Sequence, residues 1–225
     1  MNNMFERSIG LLGEENFNLI QDKAIAVFGL GGVGGTALEA LARTGFKHFI
    51  IIDFDKVDAT NLNRQILYTV KDVGRNKVEV AKERILSINP DVKITTFNLK
   101  AQEFDFDQKI DFIADAIDDV DGKLFLAKKA QENNIPAIMS LGMANRFNPE
   151  QVRIAKLNQT RNDPLAKKIR YMAKKAELDL SKINVVISEE VPRKNAEKLY
   201  STMMVPSAAG LTIAKFILHS IIDNK

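Results

Sequence analysis

The sequence contains no cysteine and only two histidines. The missing thiol excludes disulfide bonds, thiolate-bound zinc and a cysteine nucleophile within this polypeptide. His48 begins one apolar run and His219 lies inside another, so we expect structural roles for both. A catalytic triad built on histidine is therefore not expected.

The sequence also lacks an apolar leader and a strong excess of charge. The first residues, MNNMFERS, have no apolar core, and we expect no signal peptide. Lysine and arginine together number 32 against 29 acidic residues, and 45% of the residues are hydrophobic. These values are typical of a soluble globular protein, and the length of 225 residues suits one sizeable domain. We expect a cytoplasmic location, with peripheral membrane contact by the C-terminal helix as an alternative.

The apolar segment near the C-terminus has almost the length of a membrane span. Lys215 and His219 interrupt it, and Pro206 and Gly210 shorten it. We therefore expect a helix that packs on the sheet or on a second subunit rather than one that crosses a bilayer. The side chains available for burial are those of Leu211, Ala214, Phe216, Ile217 and Ile221.

A glycine-rich turn between two apolar runs is the strongest signal in the chain. Ala24 to Phe28 has the length and composition of a buried parallel strand. The turn GLGGVG (Gly29 to Gly34) follows, and then apolar residues at helical spacing as far as Gly45. A second apolar run, His48 to Ile52, ends on Asp53. This order of strand, glycine turn, helix, strand and acid predicts a nucleotide-binding unit.

The chemistry of that unit follows from its residue types. Glycines allow the backbone to approach a phosphate closely, and the amides at the start of the helix favour an anion. Asp53, at the end of the second strand, is placed to accept hydrogen bonds from ribose hydroxyls. The alternative is a turn that is packed tightly for structural reasons alone.

The segment after Asp53 is rich in polar and charged residues. A second acid, Asp55, follows the first, and the loop carries a group of polar side chains before the helix that starts near Lys77. Arg64 and Lys77 would neutralise phosphate charge and stabilise a leaving pyrophosphate if they reach back to the glycine turn. Taken singly, each is better explained as a surface charge; together, flanking a nucleotide turn, phosphate contact and surface charge are equal alternatives. The remaining polar candidates in this segment are Asn61 and Gln65.

Further apolar runs predict the rest of a parallel sheet. Strands are expected at Lys93 to Asn98, Ile110 to Ala114 and Ile135 to Leu141, separated by helical segments. We therefore predict an α/β fold, a Rossmann-like, doubly wound and mostly parallel sheet. Its C-terminal extension carries extra strands at Val152 to Leu157 and Asn184 to Ser188, with helices.

Acidic residues follow the predicted fourth strand. Asp115 and Asp118 are expected to face the same crevice as the glycine turn, because ligands bind beyond the carboxyl ends of the strands. A carboxylate beside a triphosphate binds magnesium, which requires only one or two carboxylates. The alternative is that these acids cap the next helix, which explains Asp119 or Asp121 better than Asp118.

Charged residues also occur in both terminal parts of the chain. The pattern of Phe5 to Ile20 predicts a helical arm that is broken at Gly10 and Gly13. Arg7 lies in this arm and, taken alone, is best explained as a solvated charge.

The C-terminal part is rich in basic residues. A helix is predicted there from Asp163-Pro164 to about Ala176. A basic surface suits a phosphate backbone, and a solvated helix face is the equal alternative. The basic residues of this C-terminal part are Arg153, Lys156, Arg161, Lys167, Lys168, Arg170, Lys174, Lys175, Arg193, Lys194 and Lys198.

The motifs GLGGVGG, IIDFDKVDATNLNRQ and VGRNKVEVAKERILSINP together resemble the adenylate-forming superfamily of ubiquitin-activating-type enzymes. Within it, ALARTGF, AIDDVDGK, TRNDPLAKKIR and VVISEEVP followed by VPSAAGL resemble the tRNA threonylcarbamoyladenosine dehydratase branch. Ser201 stands where that branch usually has glycine. The resemblance implies a single adenylation domain over residues 1–225, with a helical arm (1–22), a nucleotide-binding core (23–150) and a basic part (151–225).

The resemblance also implies roles for individual residues. Asp53 holds the ribose of ATP, and Gln65 supports the segment that grips the triphosphate. Asp118 is the essential acid that positions magnesium. Arg7 is delivered into the site of a partner subunit, which implies a homodimer. Phosphate contacts are implied for Gly29, Gly31, Gly32, Gly34, Asn61, Arg64 and Lys77, with Asp55 beside them.

The implied reaction is ATP-dependent cyclisation, with loss of water, of N6-threonylcarbamoyladenosine in tRNA. The implied partners are tRNA rather than DNA, with cysteine desulfurase or sulfur-relay proteins as further candidates. The alternative enzyme is an adenylyltransferase for the C-terminal glycine of a ubiquitin-like sulfur carrier. Missing zinc cysteines count against it, and the missing thiol rules out a thioester on this chain. A nucleotide-dependent binding scaffold and, more distantly, a dinucleotide dehydrogenase complete the alternatives.

Overall fold

The computed structural model describes residues 4–161, 163–193 and 199–223. The described strands form one seven-stranded sheet in the order β3-β2-β1-β4-β5-β7-β6. Their bounds are β1 Ala24–Phe28, β2 His48–Ile52, β3 Lys93–Phe97, β4 Phe112–Asp115, β5 Ala137–Ser140, β6 Val152–Lys156 and β7 Asn184–Ser188. Every neighbouring pair is parallel except β6 and β7. The predicted α/β, Rossmann-like and mostly parallel sheet is confirmed.

Helices cover both faces of this sheet. Their bounds are α1 Glu6–Leu12, α2 Glu14–Gln21, α3 Gly32–Thr44, α4 Lys77–Ile88, α5 Val120–Glu132, α6 Pro164–Lys175 and α7 Met204–Ile222. Along β1 the side chains alternate between the two faces. Ile25 and Val27 pack with α3, α4 and α7, whereas Ala26 and Phe28 pack on the side of α5. Burial on both faces explains why β1 and β2 are apolar without interruption.

Several predicted boundaries differ from the structure by one or two residues, and the N-terminal arm and the fourth strand matter most for the site. The N-terminal arm breaks only at Gly13, which has a φ of 79°, because Gly10 continues α1 without a break. The fourth strand spans Phe112–Asp115 rather than Ile110 to Ala114. Just before it, at the amino ends of β1 and β4, Asp111 donates its amide to the Ala24 carbonyl and accepts the Ala24 amide with its carboxylate (2.9 Å each).

The C-terminal helix differs from the prediction in its start and in one buried residue. Pro206 lies in the first turn of α7, where its missing N–H would have no acceptor within the helix, so it does not shorten the helix. Ile213 and Ile217 are fully buried as core residues, whereas Leu211, predicted to be buried, is exposed. Within the described ranges, α7 is the one helix that has the length and composition of a membrane span, and 39% of its apolar window is buried against the protein.

Gly210 allows α7 to lie directly against α3. A Cβ at this position would overlap the Val33 carbonyl oxygen and lie 2.7 Å from Thr36 Cβ. We expect Gly210→Ala to destabilise the protein by about 1–3 kcal/mol, because backbone must move apart to admit the methyl group. Gly10 is the matched control, since no atom lies within 4 Å of its added Cβ. Gly10→Ala should stabilise by about 0.4–1 kcal/mol; equal effects of the two changes in urea unfolding would contradict this packing argument.

Candidate nucleotide site

A crevice of about 900 Å³ opens beyond the carboxyl ends of β1, β2 and β4. β1 lies between β2 and β4, so the strand order changes direction at this point: the chain continues outward to β2 and β3 and then returns to the other side of β1. Such a switch point is where open α/β sheets bind ligands. Of the predicted site residues, the crevice brings together Gly29, Gly31, Gly32, Asp53, Asp55, Asn61, Arg64, Gln65, Lys77 and Asp118.

The glycine turn is held in place from both sides. Gly29 has a φ of 85°, and a Cβ there would lie 2.7 Å from the Ala116 carbonyl oxygen. The next amide, Leu30 N, donates to Asp53 Oδ2 (2.6 Å), and the Leu30 carbonyl accepts from the Tyr68 hydroxyl (2.9 Å). Burial raises the pKa of Tyr68 far above its usual value, so the hydroxyl remains a donor. Sequence reasoning missed Tyr68, because nothing local connects it to the turn.

Helix α3 begins at the crevice without a side-chain cap. Gly31 is its N-cap residue, and no acid occupies the first turn. The first amides of a helix have no acceptor within the helix, and the helix dipole favours an anion there. Gly34 does not line the crevice, and a Cβ at Gly34 would overlap the Gly29 carbonyl oxygen. The geometry therefore gives Gly34 a packing role, whereas Gly31 and Gly32 face the ligand space.

Asp53 supports the turn as well as facing the crevice. It is largely buried, and its second oxygen accepts a hydrogen bond from the Asp55 amide (2.8 Å). Burial raises the pKa of Asp53, although the nearby Lys77 ammonium opposes the shift. Each carboxylate oxygen has a second lone pair, so Asp53 is still able to accept a ribose hydroxyl. The ribose contact stays a prediction, and the support of the turn is a further role seen in the structure.

Two cations from the segment that joins β2 to α4 and from its end face the crevice. Lys77 is the first residue of α4, and its buried side chain places Nζ 2.7 Å from Asp55 Oδ2. Arg64 Nη1 donates to the Thr60 carbonyl (2.8 Å) and to Asn63 Oδ1 (2.9 Å). The guanidinium has five N–H groups, so donors remain for a phosphate.

The side-chain amides of Asn61 and Gln65, in the same loop, have different surroundings. Asn61 Oδ1 accepts from the Asp58 amide (3.2 Å) and so stabilises a short 3₁₀ turn. Gln65 is buried, and its Oε1 has no hydrogen-bond donor within the described part of the chain. An unpaired buried acceptor costs about 1–3 kcal/mol. A donor on a bound ligand would recover that cost.

Asp118 and Asp119 are neighbours with different surroundings. Asp119 is the N-cap of α5, and its Oδ2 accepts from the Gly122 amide (2.8 Å) and from Gln102 Nε2 (2.6 Å). Partial burial opposes ionisation of Asp119, but these hydrogen bonds outweigh it and lower the pKa. Asp118 lines the crevice, is exposed and has no such contact among the described residues. Capping therefore accounts for Asp119 and leaves the Asp118 carboxylate available to a ligand.

The expectation that Asp115 faces the crevice is wrong. Asp115 is the last residue of β4 and is buried with Lys123, whose Nζ lies 2.8 Å from Asp115 Oδ1. Because β4 ends later than predicted, the side chain of Asp115 belongs to the sheet and packs under α5. The same oxygen accepts from the Ile117 amide (3.2 Å), so the ion pair helps to hold the segment that leads to Asp118.

Two groups of predicted residues lie away from the crevice. Arg7 is exposed on α1 and does not line it within the same chain. The basic part is divided: Arg153 pairs with Glu189 (2.6 Å) and Lys156 donates to Asn184 (2.6 Å). Exposed basic side chains remain at Arg161, Lys167, Lys168, Lys174, Lys175 and Arg193. Lys194 and Lys198 lie outside the described residues.

Several lining residues were not predicted. Phe54 is exposed between the two acids that follow β2, with Lys100 Nζ 5.6 Å from its ring centroid. Lys100 and Gln102 follow β3, so the rule that ligands meet strand ends is the signal that would have found them. In residues 4–161, 163–193 and 199–223 no three His, Cys, Asp or Glu side chains gather as a metal site. Any magnesium here would therefore take most of its ligands from phosphate and water.

The fold and the crevice define a Rossmann-like nucleotide-binding protein whose crevice opens at the uncapped start of α3. The model of the ThiF family matches residues 5–214, and the chain belongs to this family. It is similar to the tRNA threonylcarbamoyladenosine dehydratase of Bacillus subtilis (strain 168), with 32% identity over 246 residues that cover 100% of this chain and 96% of the relative.

Solved structures agree with that similarity. The Escherichia coli tRNA N6-threonylcarbamoyladenosine dehydratase, TcdA, in complex with ATP superimposes with a TM-score of 0.91 at 31% identity, covering 98% of this chain and 94% of that chain. The same enzyme in complex with AMP gives the same TM-score, identity and coverage. The resemblance that the motifs indicated is confirmed.

Proposed function

We propose that this protein catalyses the ATP-dependent cyclising dehydration of N6-threonylcarbamoyladenosine in tRNA. The observation that carries the proposal is its similarity, over 98% of the chain, to a dehydratase in complex with ATP. The crevice supports it, because the start of α3, Arg64, Lys77 and Asp118 surround one space of suitable size.

The residues of the crevice suit the parts of ATP. The amides at Gly31 and Gly32 bind phosphate, and Lys77 exchanges part of its contact with Asp55 for a phosphate oxygen. Arg64 and Asn61 bind the triphosphate from the other side, and Gln65 Oε1 accepts a donor from the bound ligand.

Asp118 is the residue that would hold magnesium. It is an exposed carboxylate on the crevice wall, and Mg²⁺ binds through one or two carboxylates together with substrate phosphates and waters. When bound, the ion neutralises charge on the phosphate oxygens. The cations of the protein, Arg64 and Lys77, stabilise the charge that develops on the departing pyrophosphate.

The proposed reaction has two steps. A carboxylate oxygen of the threonyl group attacks the α-phosphorus of ATP, the bond to the β-phosphate oxygen breaks, and pyrophosphate leaves. A nucleophile within the same modified side chain then attacks the carboxyl carbon, the bond to the AMP oxygen breaks, and AMP leaves as the nucleophile loses its proton. The net change is loss of water from the nucleoside at the cost of ATP, and the enzyme is of the ligase type.

This mechanism needs no nucleophile from the protein, which agrees with a chain that has no cysteine. We further propose that the enzyme is a cytoplasmic homodimer in which Arg7 of one subunit completes the crevice of the other. Exposed cations of the C-terminal part contact the tRNA backbone, and a sulfur-relay protein is a candidate partner.

The experiment compares tRNA from cells with and without the protein. We expect mass analysis of the nucleosides to show threonylcarbamoyladenosine reduced by one water when the protein is present. In vitro, exchange of labelled pyrophosphate into ATP should be stimulated by modified tRNA and not by a protein that ends in Gly-Gly. Stimulation by the Gly-Gly protein alone would favour the sulfur-carrier adenylyltransferase, and ATP binding without turnover on any acceptor would favour a binding scaffold.

A further inference from the structure

Two aromatic side chains are exposed near the carboxyl ends of β5 and β7. Phe147 is 52% exposed and Tyr200 is 60% exposed. The guanidinium carbon of Arg193 lies 4.2 Å from the centroid of the Phe147 ring, within the range of a cation–π contact. An exposed aromatic group beside a cation is a recurrent feature of binding surfaces.

One residue holds the chain segments that carry Arg193 and Tyr200. Asn145 has a φ of 59°, a conformation that asparagine tolerates better than most residues. Its carbonyl accepts from the Arg193 amide (2.9 Å), its Oδ1 accepts from the Tyr200 amide (2.9 Å), and its own amide donates to the Tyr200 carbonyl (2.7 Å). These three hydrogen bonds place both residues beside the loop of Phe147.

The loop of Phe147 is itself anchored by charge. Glu190 Oε2 accepts from the amides of Phe147 and Asn148, each at 2.8 Å. The buried side chain of Arg146 donates from Nε to the Glu190 carbonyl (2.9 Å) and from Nη2 to Asp163 (3.3 Å). The backbone is therefore tied down while the aromatic side chains face solvent, which lowers the entropy cost of binding.

This surface adjoins the nucleotide crevice. Asn63 Nδ2 donates to the carbonyl of Ser201 (2.8 Å), next to Tyr200. Asn63 in turn accepts from Arg64, which lines the crevice. Two hydrogen bonds thus connect the segment of Tyr200 to a residue that lines the crevice.

We propose that Phe147, Arg193 and Tyr200 form a stacking platform for unpaired RNA bases that flank the modified nucleoside. The proposal rests on the proposed function and says how the substrate is held. Unpaired bases stack on aromatic rings and on guanidinium planes, whereas bases within a duplex do not present these faces. The platform thus selects a single-stranded loop and guides one nucleoside of that loop towards the ATP.

The chain provides a matched control of the same chemistry at a different place. Tyr171 is also exposed, and Lys175 Nζ lies 4.7 Å from its ring centroid. Helix α6 runs away from the crevice, and the segment after it contacts Gln131 at the far end of α5 through Asp179. Tyr171 therefore tests whether any exposed aromatic group beside a cation is sufficient.

The test measures binding of an RNA stem-loop whose unpaired loop contains the adenosine to be modified, by fluorescence anisotropy at fixed salt. Stacking of one base is worth about 1–3 kcal/mol by alanine substitution, so Phe147→Ala combined with Tyr200→Ala should weaken binding about tenfold or more. Arg193→Gln should weaken it less, and Tyr171→Ala should leave it unchanged. A blunt-ended RNA duplex, which offers no unpaired loop, should bind the parent, the double variant and Tyr171→Ala equally, and ATP affinity and thermal unfolding should not change in any variant.

The kinetic readout separates positioning from chemistry. We expect the double variant to raise KM for modified tRNA while kcat changes little. An unchanged RNA affinity, or an equal loss in Tyr171→Ala, would overturn the platform. A change of the double variant from dimer to monomer with its RNA affinity intact would also overturn the platform, since the rings would then contact a second copy of the chain. The two proposals fail separately. If the double variant loses stem-loop binding but the unmodified protein forms no cyclised nucleoside in any assay, the platform is supported and the proposed function is rejected.

Discussion

Replacing Asp118 by asparagine is expected to lower tRNA-dependent pyrophosphate exchange on the order of 10²–10³-fold, the size typical of losing one electrostatic contact to developing charge. Asparagine has the same shape but no negative charge, so it binds magnesium weakly. Because Asp118 is exposed and has no hydrogen bond within the described chain, the fold should not change. The measurement is exchange of labelled pyrophosphate at saturating ATP, with magnesium varied.

Asp121 is the matched control for this change. It is an exposed carboxylate on the same crevice wall, three residues further along the chain. Asp121→Asn should retain most of the activity, and its magnesium dependence should match that of the parent. A loss as large as that of Asp118→Asn would mean that the two carboxylates share the metal. Full activity of Asp118→Asn would remove it from the mechanism.

The largest expected effect on stability is that of Asp115→Asn. Lys123 is fully buried, and Asp115 is its ion-pair partner at 2.8 Å. Removing one member of a buried pair leaves the other charge uncompensated and costs about 3–5 kcal/mol. At this chain length each kcal/mol lowers the melting temperature by about 2–4 °C. Calorimetry and urea unfolding would measure the loss, and pyrophosphate exchange would show whether the segment leading to Asp118 shifts with it.

Two controls distinguish a buried pair from ion pairs in general. Replacing both partners, Asp115→Leu with Lys123→Met, should restore most of the stability, because apolar residues leave no unpaired charge. Glu132→Gln breaks exposed pairs with Lys128 (3.6 Å) and Lys129 (3.5 Å) and should cost at most about 1 kcal/mol. If Asp115→Asn were as mild as Glu132→Gln, burial of the pair would have no energetic consequence.

Much of the nucleotide-binding unit could be predicted because its determinants are local. β1 and β2 have the predicted bounds, since strands buried on both faces read as continuous apolar runs. The end of α3 before Gly45 was equally readable, because Gly45 has a φ of 128° that other residues rarely adopt. The start of α4 at Lys77 also agrees with the prediction.

The supports of the site were not predictable, because they join residues far apart in the chain. The hydroxyl of Tyr68 donates a hydrogen bond to the carbonyl of Leu30, 38 residues earlier in the sequence, and no pattern near Tyr68 indicates that contact. Asp115 shows the same limit: a shift of one residue in the end of a strand moves a carboxylate from a crevice to a buried ion pair, because side chains alternate between faces.

By itself the sequence determined where the strands lie along the chain, the glycine turn, the acid after β2 and the absence of a thiol, because each depends on residue type and short spacing. Only the tertiary structure decided which carboxylate is free, which cation is buried and which aromatic rings stand beside the crevice. Those outcomes depend on which distant residues meet when the chain folds, and burial then sets the charge and hydrogen bonding of each group.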